Sequence, residues 1–141
     1  DDSYGDVYAA RGWARASLED IEGALQDFEK NLELNPKSVS ALSDLAIVNY
    51  RAGNEEKARQ ILDEILAIDV STYSSYEAVA QVFLTLGDLN STFEWLERGY
   101  NARSRHMIFL NTFSTWDPIR DDVRFQDLMR RLAFTIPSEA P

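Results

Sequence analysis

The chain has 141 residues, 45% of them hydrophobic, and a net charge of −10. This size suits one domain with a hydrophobic core, and the acidic balance argues against broad binding to nucleic acids or anionic membranes. The charge fits either a solvated acidic surface or an electrostatic preference for a basic partner. The chain contains no Cys, which excludes disulfides and thiolate metal sites.

The sequence contains no apolar run long enough to span a bilayer. It begins at Asp1 without a Met, and no signal-like segment opens it. We therefore expect an excised piece or a processed form of a longer protein. These features favour a cytoplasmic location and leave the periplasm open.

A 34-residue repeat organises most of the sequence. The segment from Ala24 to Pro36 has a counterpart at residues 58–69 and a weaker one at residues 92–103. Two columns of the aligned segments, one of small and one of large residues, carry this period: Ala24, Ala58 and Thr92, and Phe28, Leu62 and Leu96. A fixed period of this length predicts supersecondary units that stack on one another.

Within this repeat, apolar residues at helical spacing predict six helices in three antiparallel pairs. We expect them at residues 6–17, 21–34, from a cap at Ser38 or Ser40 to residue 51, and at residues 55–68, 74–86 and 89–103. Pro36 ends the second helix because it lacks a backbone N–H, and Gly53 and Gly87 supply left-handed turns after the third and fifth helices. A single pair cannot bury its apolar faces, so the pairs are predicted to stack into an all-α superhelix.

The predicted domain organisation is a repeat array followed by a tail. The array consists of three units at residues 5–38, 39–72 and 73–106, and the tail consists of capping helices at residues 107–137 and a disordered end at residues 138–141. We expect a tail helix over residues 107–115, with Leu110 and Phe113 in the apolar columns, and a last helix over residues 123–134. The tail would cover the last apolar surface of the superhelix, with a separate partner-binding helix as the alternative.

The repeat resembles the tetratricopeptide repeat (TPR) family over about residues 5–106. The resemblance is carried by small residues at the helix crossings, by the turns and by the second helix: Gly12, Ala46 and Ala80; Gly53-Asn54 and Gly87-Asp88; Ala24, Phe28 and Pro36. Glu19 stands where the first turn Gly of the family is expected. The resemblance implies a TPR solenoid, an α-α superhelix of antiparallel helix pairs. Residues 116–134 are similar to the closing segment of TPR modules in bacterial regulatory proteins, where the module frequently accompanies a nucleotide cyclase or a DNA-binding domain.

Residues with catalytic potential are scattered rather than grouped. The six Gly form no phosphate loop, and His106 is the single His, with no second His to share a metal. Acidic pairs such as Asp121-Asp122 lie in the first turns of helices, where they complement the helix dipole. We therefore expect no catalytic residue, no metal site, no cofactor and no enzymatic activity.

In the TPR family the first helix of each unit lines a concave groove. Carrying the family positions over to this sequence gives eight candidate partner-binding residues: Trp13, Asp44, Ile47, Tyr50, Arg51, Glu77, Gln81 and Leu84. Apolar anchors beside polar groups favour capture of a helix or an extended peptide, although Trp13 and Tyr50 have packing against neighbouring helices as an alternative role. TPR domains that clamp the carboxylate of chaperone tails use Lys, Asn and Arg at positions occupied here by Ala9, Trp13, Asp44, Ser74 and Ala78. Chaperone-tail binding is therefore disfavoured.

The leading hypothesis is a non-enzymatic protein–protein interaction scaffold that binds a peptide or helix in the concave groove, as a fragment of a larger bacterial regulatory protein. One alternative is self-association, with the first helix and the tail stacking on another copy. Another is a ligand-sensing domain of a regulator that has a separate cyclase or DNA-binding domain. We expect a protein or peptide partner, homo-oligomers under the first alternative, no direct nucleic-acid contact and no membrane insertion.

Overall fold

A computed structural model of the chain describes residues 3–68 and 75–133. The described residues form seven α-helices, two 3₁₀ helices and no β-strand, so the predicted all-α fold class is confirmed. The α-helices are α1 (Ser3–Ser17), α2 (Ile21–Leu34), α3 (Val39–Arg51), α4 (Glu55–Leu66), α5 (Tyr76–Thr85), α6 (Leu89–Asn101) and α7 (Val123–Ala133). The two 3₁₀ helices, Arg105–Phe109 and Ser114–Ile119, lie between α6 and α7.

The first six helices pack as the antiparallel pairs α1/α2, α3/α4 and α5/α6. Between the pairs, α3 contacts α1, α2 and α5, so the first helices of the three pairs lie side by side. This arrangement is the α-α superhelix that the 34-residue period predicts. It places one layer formed by α1, α3 and α5 where a partner can reach it.

Small residues let the two helices of each pair approach closely. Ala24, Ala58 and Thr92, which share one column of the repeat, are all fully buried. Thr92 fits a column of alanines because its hydroxyl donates to the Asp88 carbonyl at 2.7 Å and so leaves no unpaired donor in the core. At the first crossing, a Cβ atom added to Gly12 would lie 2.9 Å from the Phe28 ring.

The turns between paired helices share one backbone conformation. Gly53 and Gly87 have positive φ values of 83° and 82°, as predicted. Glu19, one period before Gly53, adopts the same left-handed region with a φ of 63°. A residue with a Cβ atom is strained in that region, so the first turn keeps the repeat geometry at a cost.

The bounds of the described helices follow local signals. α2 covers the predicted residues because the Asp20 side chain caps its first turn and Pro36 follows its end. α4 and α6 each end two residues earlier than predicted, at Leu66 and Asn101. The predicted start of the fifth helix at residue 74 and the predicted disordered end lie outside the described residues.

The tail differs most from the prediction. The α-helix expected at residues 107–115 is wrong, because the chain forms the first 3₁₀ helix, a turn and the second 3₁₀ helix there. Leu110 and Trp116 are each 1% exposed, and an α-helix would place residues at this spacing roughly 120° apart. Phe113 between them, expected in an apolar column, is 54% exposed.

The core nevertheless runs without interruption from the repeat into the tail. Six tail residues belong to the same buried cluster as the repeat residues: Met107, Leu110, Trp116, Ile119, Phe125 and Leu128. The last predicted helix is observed as α7, which packs against α6. The tail therefore covers the apolar side of the last helix pair.

Candidate functional site

The eight predicted site residues lie on the three helices of the exposed layer. Trp13 lies on α1; Asp44, Ile47, Tyr50 and Arg51 lie on α3; Glu77, Gln81 and Leu84 lie on α5. Because α3 contacts both α1 and α5, the fold brings the three helices together as neighbours. The side chains differ in how much they offer to a partner.

Trp13 on α1 and Asp44 on α3 form a contact between the first and the second helix pair. The Trp13 indole N–H donates to Asp44 Oδ1 at 3.2 Å, and the indole packs edge-on against Phe28 with ring centroids 5.2 Å apart. Burial raises the pKa of Asp44 to about 7, although the hydrogen bond from Trp13 opposes this rise. The carboxyl is therefore partly protonated near neutral pH, and Trp13 is a structural contact as well as a surface residue.

Arg51 also joins the two pairs. Its guanidinium donates from Nη2 to the Ala16 carbonyl at 2.8 Å and lies 3.9 Å from the Glu19 carboxylate. A cation at the last carbonyls of α1 is favourable because these groups have no partner within the helix. Arg51 thus caps the C-terminal end of α1. This contact limits the freedom of the Arg51 side chain to contact a partner.

The three apolar candidates differ in exposure. Ile47 lies in the buried cluster, and Leu84 is half-buried and packs against that cluster. Tyr50 is 37% exposed and is therefore the apolar candidate with most surface for a partner. An aromatic side chain in this position suits an anchoring role in a peptide groove.

Glu77 and Gln81 line a cavity of about 420 Å³. The cavity lies between α3, α5 and the two 3₁₀ helices of the tail, which contribute His106, Phe109 and Phe113. Sequence reasoning missed these tail residues as site residues because it placed residues 107–115 in one α-helix. Two phenylalanines four residues apart beside a turn were the available signal.

Glu77 is the buried acid of this cavity, with 8% of its surface exposed. Its Oε2 lies 3.9 Å from His106 Nδ1, which is longer than a hydrogen bond. Within the described part of the chain, its Oε1 has no hydrogen-bond partner. A buried carboxylate oxygen that lacks a donor is unusual in a folded protein.

The described residues contain no group of three or more His, Asp or Glu placed to hold a metal ion. Among the helices in residues 3–68 and 75–133, none combines the length and apolar character needed to cross a membrane. The site combines side chains on α1, α3 and α5 with one buried carboxylate, that of Glu77, in a cavity.

Residues 16–82 match the family model for the tetratricopeptide repeat. RNA polymerase II-associated protein 3 of Xenopus tropicalis is 43% identical over 70 residues, which are 48% of this chain and 11% of that protein. The protein of the same name from Mus musculus is 38% identical over 56 residues, or 40% of this chain and 8% of that protein. A TPR repeat-containing protein of Methanocaldococcus jannaschii is 30% identical over 86 residues, 55% of this chain and 15% of that protein. The chain thus spans a small part of the length of these curated relatives.

Solved structures share the fold. The Sgt2 TPR domain from Aspergillus fumigatus is similar with a TM-score of 0.55 and 17% identity, over 97% of this chain and 84% of that one. The first TPR of Spaghetti bound to the HSP90 peptide SRMEEVD gives a TM-score of 0.53 and 15% identity, over 94% and 96% of the two chains. The family match and the TPR solenoid fold together support a TPR protein.

Proposed function

We propose that this chain is a non-enzymatic interaction scaffold that binds a peptide or helix of a partner protein in the groove formed by α1, α3 and α5. The observation that carries the proposal is the exposed Tyr50 on α3, on the same layer as the cavity beside Glu77 and Gln81. An exposed aromatic side chain on a helix that also lines a cavity is typical of surfaces that capture peptides.

The peptide that we propose as the ligand of this groove differs in charge from the HSP90 peptide bound by the TPR of Spaghetti. That peptide, SRMEEVD, ends in acidic residues. This groove instead presents the carboxyl groups of Asp44 and Glu77, and Ala9 and Ala78 stand where the family's carboxylate clamp has basic or amide side chains. Like charges would oppose an acidic tail, so we propose a ligand without one.

Peptide selection from a random display library on the purified chain tests the groove. Tyr50→Ala should weaken binding of the selected peptides at least about tenfold, as expected for loss of an aromatic anchor. Tyr4→Ala is the matched control, since Tyr4 is 64% exposed on α1 and lies outside the candidate residues. Fluorescence anisotropy measures affinity and circular dichroism confirms the helical content. Equal affinity of wild type and Tyr50→Ala would rule out the groove.

Self-association is a second candidate because α1 exposes apolar surface. Tyr4 and Val7 on α1, and Leu18 just after it, are all more than half exposed. Such a surface on the first helix suits stacking against a second copy. Analytical ultracentrifugation over a range of concentrations tests it, and a strict monomer would exclude it.

The remaining parts of the proposal concern context. We propose the three units at residues 5–38, 39–72 and 73–106, the cap at residues 107–137, a cytoplasmic location, and no direct contact with nucleic acid or membrane insertion. Similarity of the tail to bacterial regulatory modules supports a regulatory origin and, alternatively, a ligand-sensing role beside a cyclase or DNA-binding domain. The relatives reported above come from a frog, a mouse and an archaeon and add no support for a bacterial origin.

A further inference from the structure

The cavity beside Glu77 contains one carboxylate, and the ion pair that this carboxylate forms with His106 is long, at 3.9 Å. Among the described residues that line it, Glu77 and His106 are the two that can carry a charge, and no Lys or Arg is present. The Glu77 carboxylate is nine-tenths buried, and its Oε1 lacks a donor. Burial of a carboxylate with few donors is costly, so a cationic donor that reached Glu77 from the cavity would stabilise it.

Two aromatic rings face the same cavity. Phe109 and Phe113 both line it, are 45% and 54% exposed, and have ring centroids 6.2 Å apart at an angle of 48°. By contrast, the other tail aromatics that the structure describes, Trp116 and Phe125, are buried. Aromatic faces attract cations through their quadrupole, and a carboxylate at the same place adds a full negative charge.

We propose that this cavity binds a cationic side chain, an arginine or a lysine, of the peptide that occupies the groove. The proposal rests on the proposed function and specifies the chemistry of its ligand. The Glu77 carboxylate accepts hydrogen bonds from the cation, and the rings of Phe109 and Phe113 cover its apolar faces. Arginine fits best because its planar guanidinium combines several donors with faces that stack on aromatic rings.

The net charge of −10 agrees with this ligand. An acidic chain attracts a basic segment over distances near the Debye length and raises its rate of association. The overall charge is not specific to one site, however, whereas Glu77 and the two rings define a single position. The basic partner considered from composition thus acquires a defined place of contact.

The probes that test the proposal are single amino acids whose amino and carboxyl groups are blocked and therefore uncharged. Nα-acetyl-arginine methylamide and its lysine, citrulline and norleucine analogues are titrated into ¹⁵N-labelled chain up to about 20 mM, since ligands of this size bind in the millimolar range. We expect the arginine and lysine probes to shift the amide signals of Glu77, His106 and Phe113. The citrulline and norleucine probes, which lack the charge, should bind at least about tenfold more weakly.

Two variants locate the binding. Glu77→Gln keeps the size of the side chain and removes its charge, so the advantage of arginine over citrulline should disappear. Phe113→Leu should weaken the arginine probe severalfold while leaving the fold intact, because Phe113 is exposed. Glu29→Gln on α2 removes an exposed carboxylate outside the cavity and should leave all probes unchanged. Thermal melts confirm that each variant is folded.

The outcomes separate this proposal from the proposed function. Equal binding of arginine and citrulline, unchanged arginine binding by Glu77→Gln, or no shift with any probe would each overturn the cation site. If selected peptides still bind in a manner that depends on Tyr50, the groove stands and the cation site alone is wrong. If the arginine probe binds at Glu77 but no peptide binds in the groove, the cation site stands and the peptide-binding scaffold is wrong.

Discussion

The repeat, α1 to α6, and the tail, residues 102–133, bury apolar residues in different ways. In the repeat, one column of small residues returns every 34 residues, and Ala24, Ala58 and Thr92 are all buried in it. In the tail, Leu110 and Trp116 are buried at a spacing that follows no helical period. The repeat therefore sets where α1, α3 and α5 lie, and the tail adds the two 3₁₀ helices and α7.

The two regions also differ in how helices are joined. Helix pairs in the repeat meet through small residues, whereas α7 meets α6 through arginines. Arg131 pairs with Glu97 and lies 4.6 Å from the Tyr100 ring centroid, and Arg124 lies 4.1 Å from that of Phe93. Each cation–π contact of this kind contributes about 0.5–1 kcal/mol at an exposed site. Polar and aromatic side chains thus hold the tail where periodic packing ends.

The largest expected effect tests whether these regions fold together. Trp116→Ala should lower the free energy of unfolding by about 3–5 kcal/mol, because it leaves a cavity in the buried cluster that the tail shares with the repeat. Phe28→Ala, in the same cluster but in the first helix pair, is the matched variant and should cost a similar amount. Urea unfolding followed by circular dichroism measures both.

A single transition in each variant is expected, because one apolar cluster runs through both regions. If Trp116→Ala instead separated a low transition from an unchanged high one, the tail would be an independent unit. The repeat and the tail would then be two separate folding units, rather than two parts of one unit that pack differently.

The second prediction compares two carboxyl groups whose pKa values are shifted in opposite directions, Asp44 in the repeat and Asp122 in the tail. Burial raises the pKa of Asp44, in the repeat, to about 7 from an ordinary 3.8. The folded chain therefore retains a proton there that the unfolded chain has released. The contribution of Asp44 to stability is full below about pH 4 and is lost as pH rises to 7, by up to roughly 1.4 kcal/mol per pH unit.

Asp44→Asn removes this dependence and keeps an oxygen that can accept from the Trp13 indole. The variant should match wild type near pH 4 and become progressively more stable than wild type up to pH 7, as measured by urea unfolding at each pH. Asp63→Asn, at an exposed position on α4, is the control. A difference that does not change with pH would contradict the buried acid.

The pKa of Asp122, in the tail, is shifted in the opposite direction to that of Asp44. Hydrogen bonds from Arg124 lower its pKa, so its contribution is present at neutral pH and is lost on acidification. The repeat and the tail are thus expected to respond to pH in opposite directions at these two positions.

The sequence predicted those features of the fold that depend on residues close together in the chain. The bounds of α2 and the left-handed turns at Gly53 and Gly87 follow from caps and glycines that act within a few residues. The raised pKa of Asp44 depends on burial in the packed structure, which a hydrogen bond from Trp13, 31 residues away, opposes. The cavity beside Glu77 depends on tail residues outside the period. Family positions placed the candidate residues on α1, α3 and α5, which are neighbours in the structure, but the burial of Ile47 and the contact made by Arg51 required the packed structure.

The smallest expected effect concerns the first turn. Glu19 holds a positive φ of 63° where the later turns have Gly, and strain at such a residue costs roughly 1–2 kcal/mol. Glycine removes the strain but adds freedom to the unfolded chain, so Glu19→Gly should stabilise the protein by a net of about 0.5–1 kcal/mol. The long contact with Arg51 at 3.9 Å is exposed and adds little to the balance. Arg103→Gly, at a φ of 54° where α6 leads into the tail, is the matched variant and should behave alike. If Glu19→Gly were instead destabilising in thermal melts, the glutamate would be held by contacts that outweigh its backbone strain, and the first turn would differ from the later ones in more than its residue.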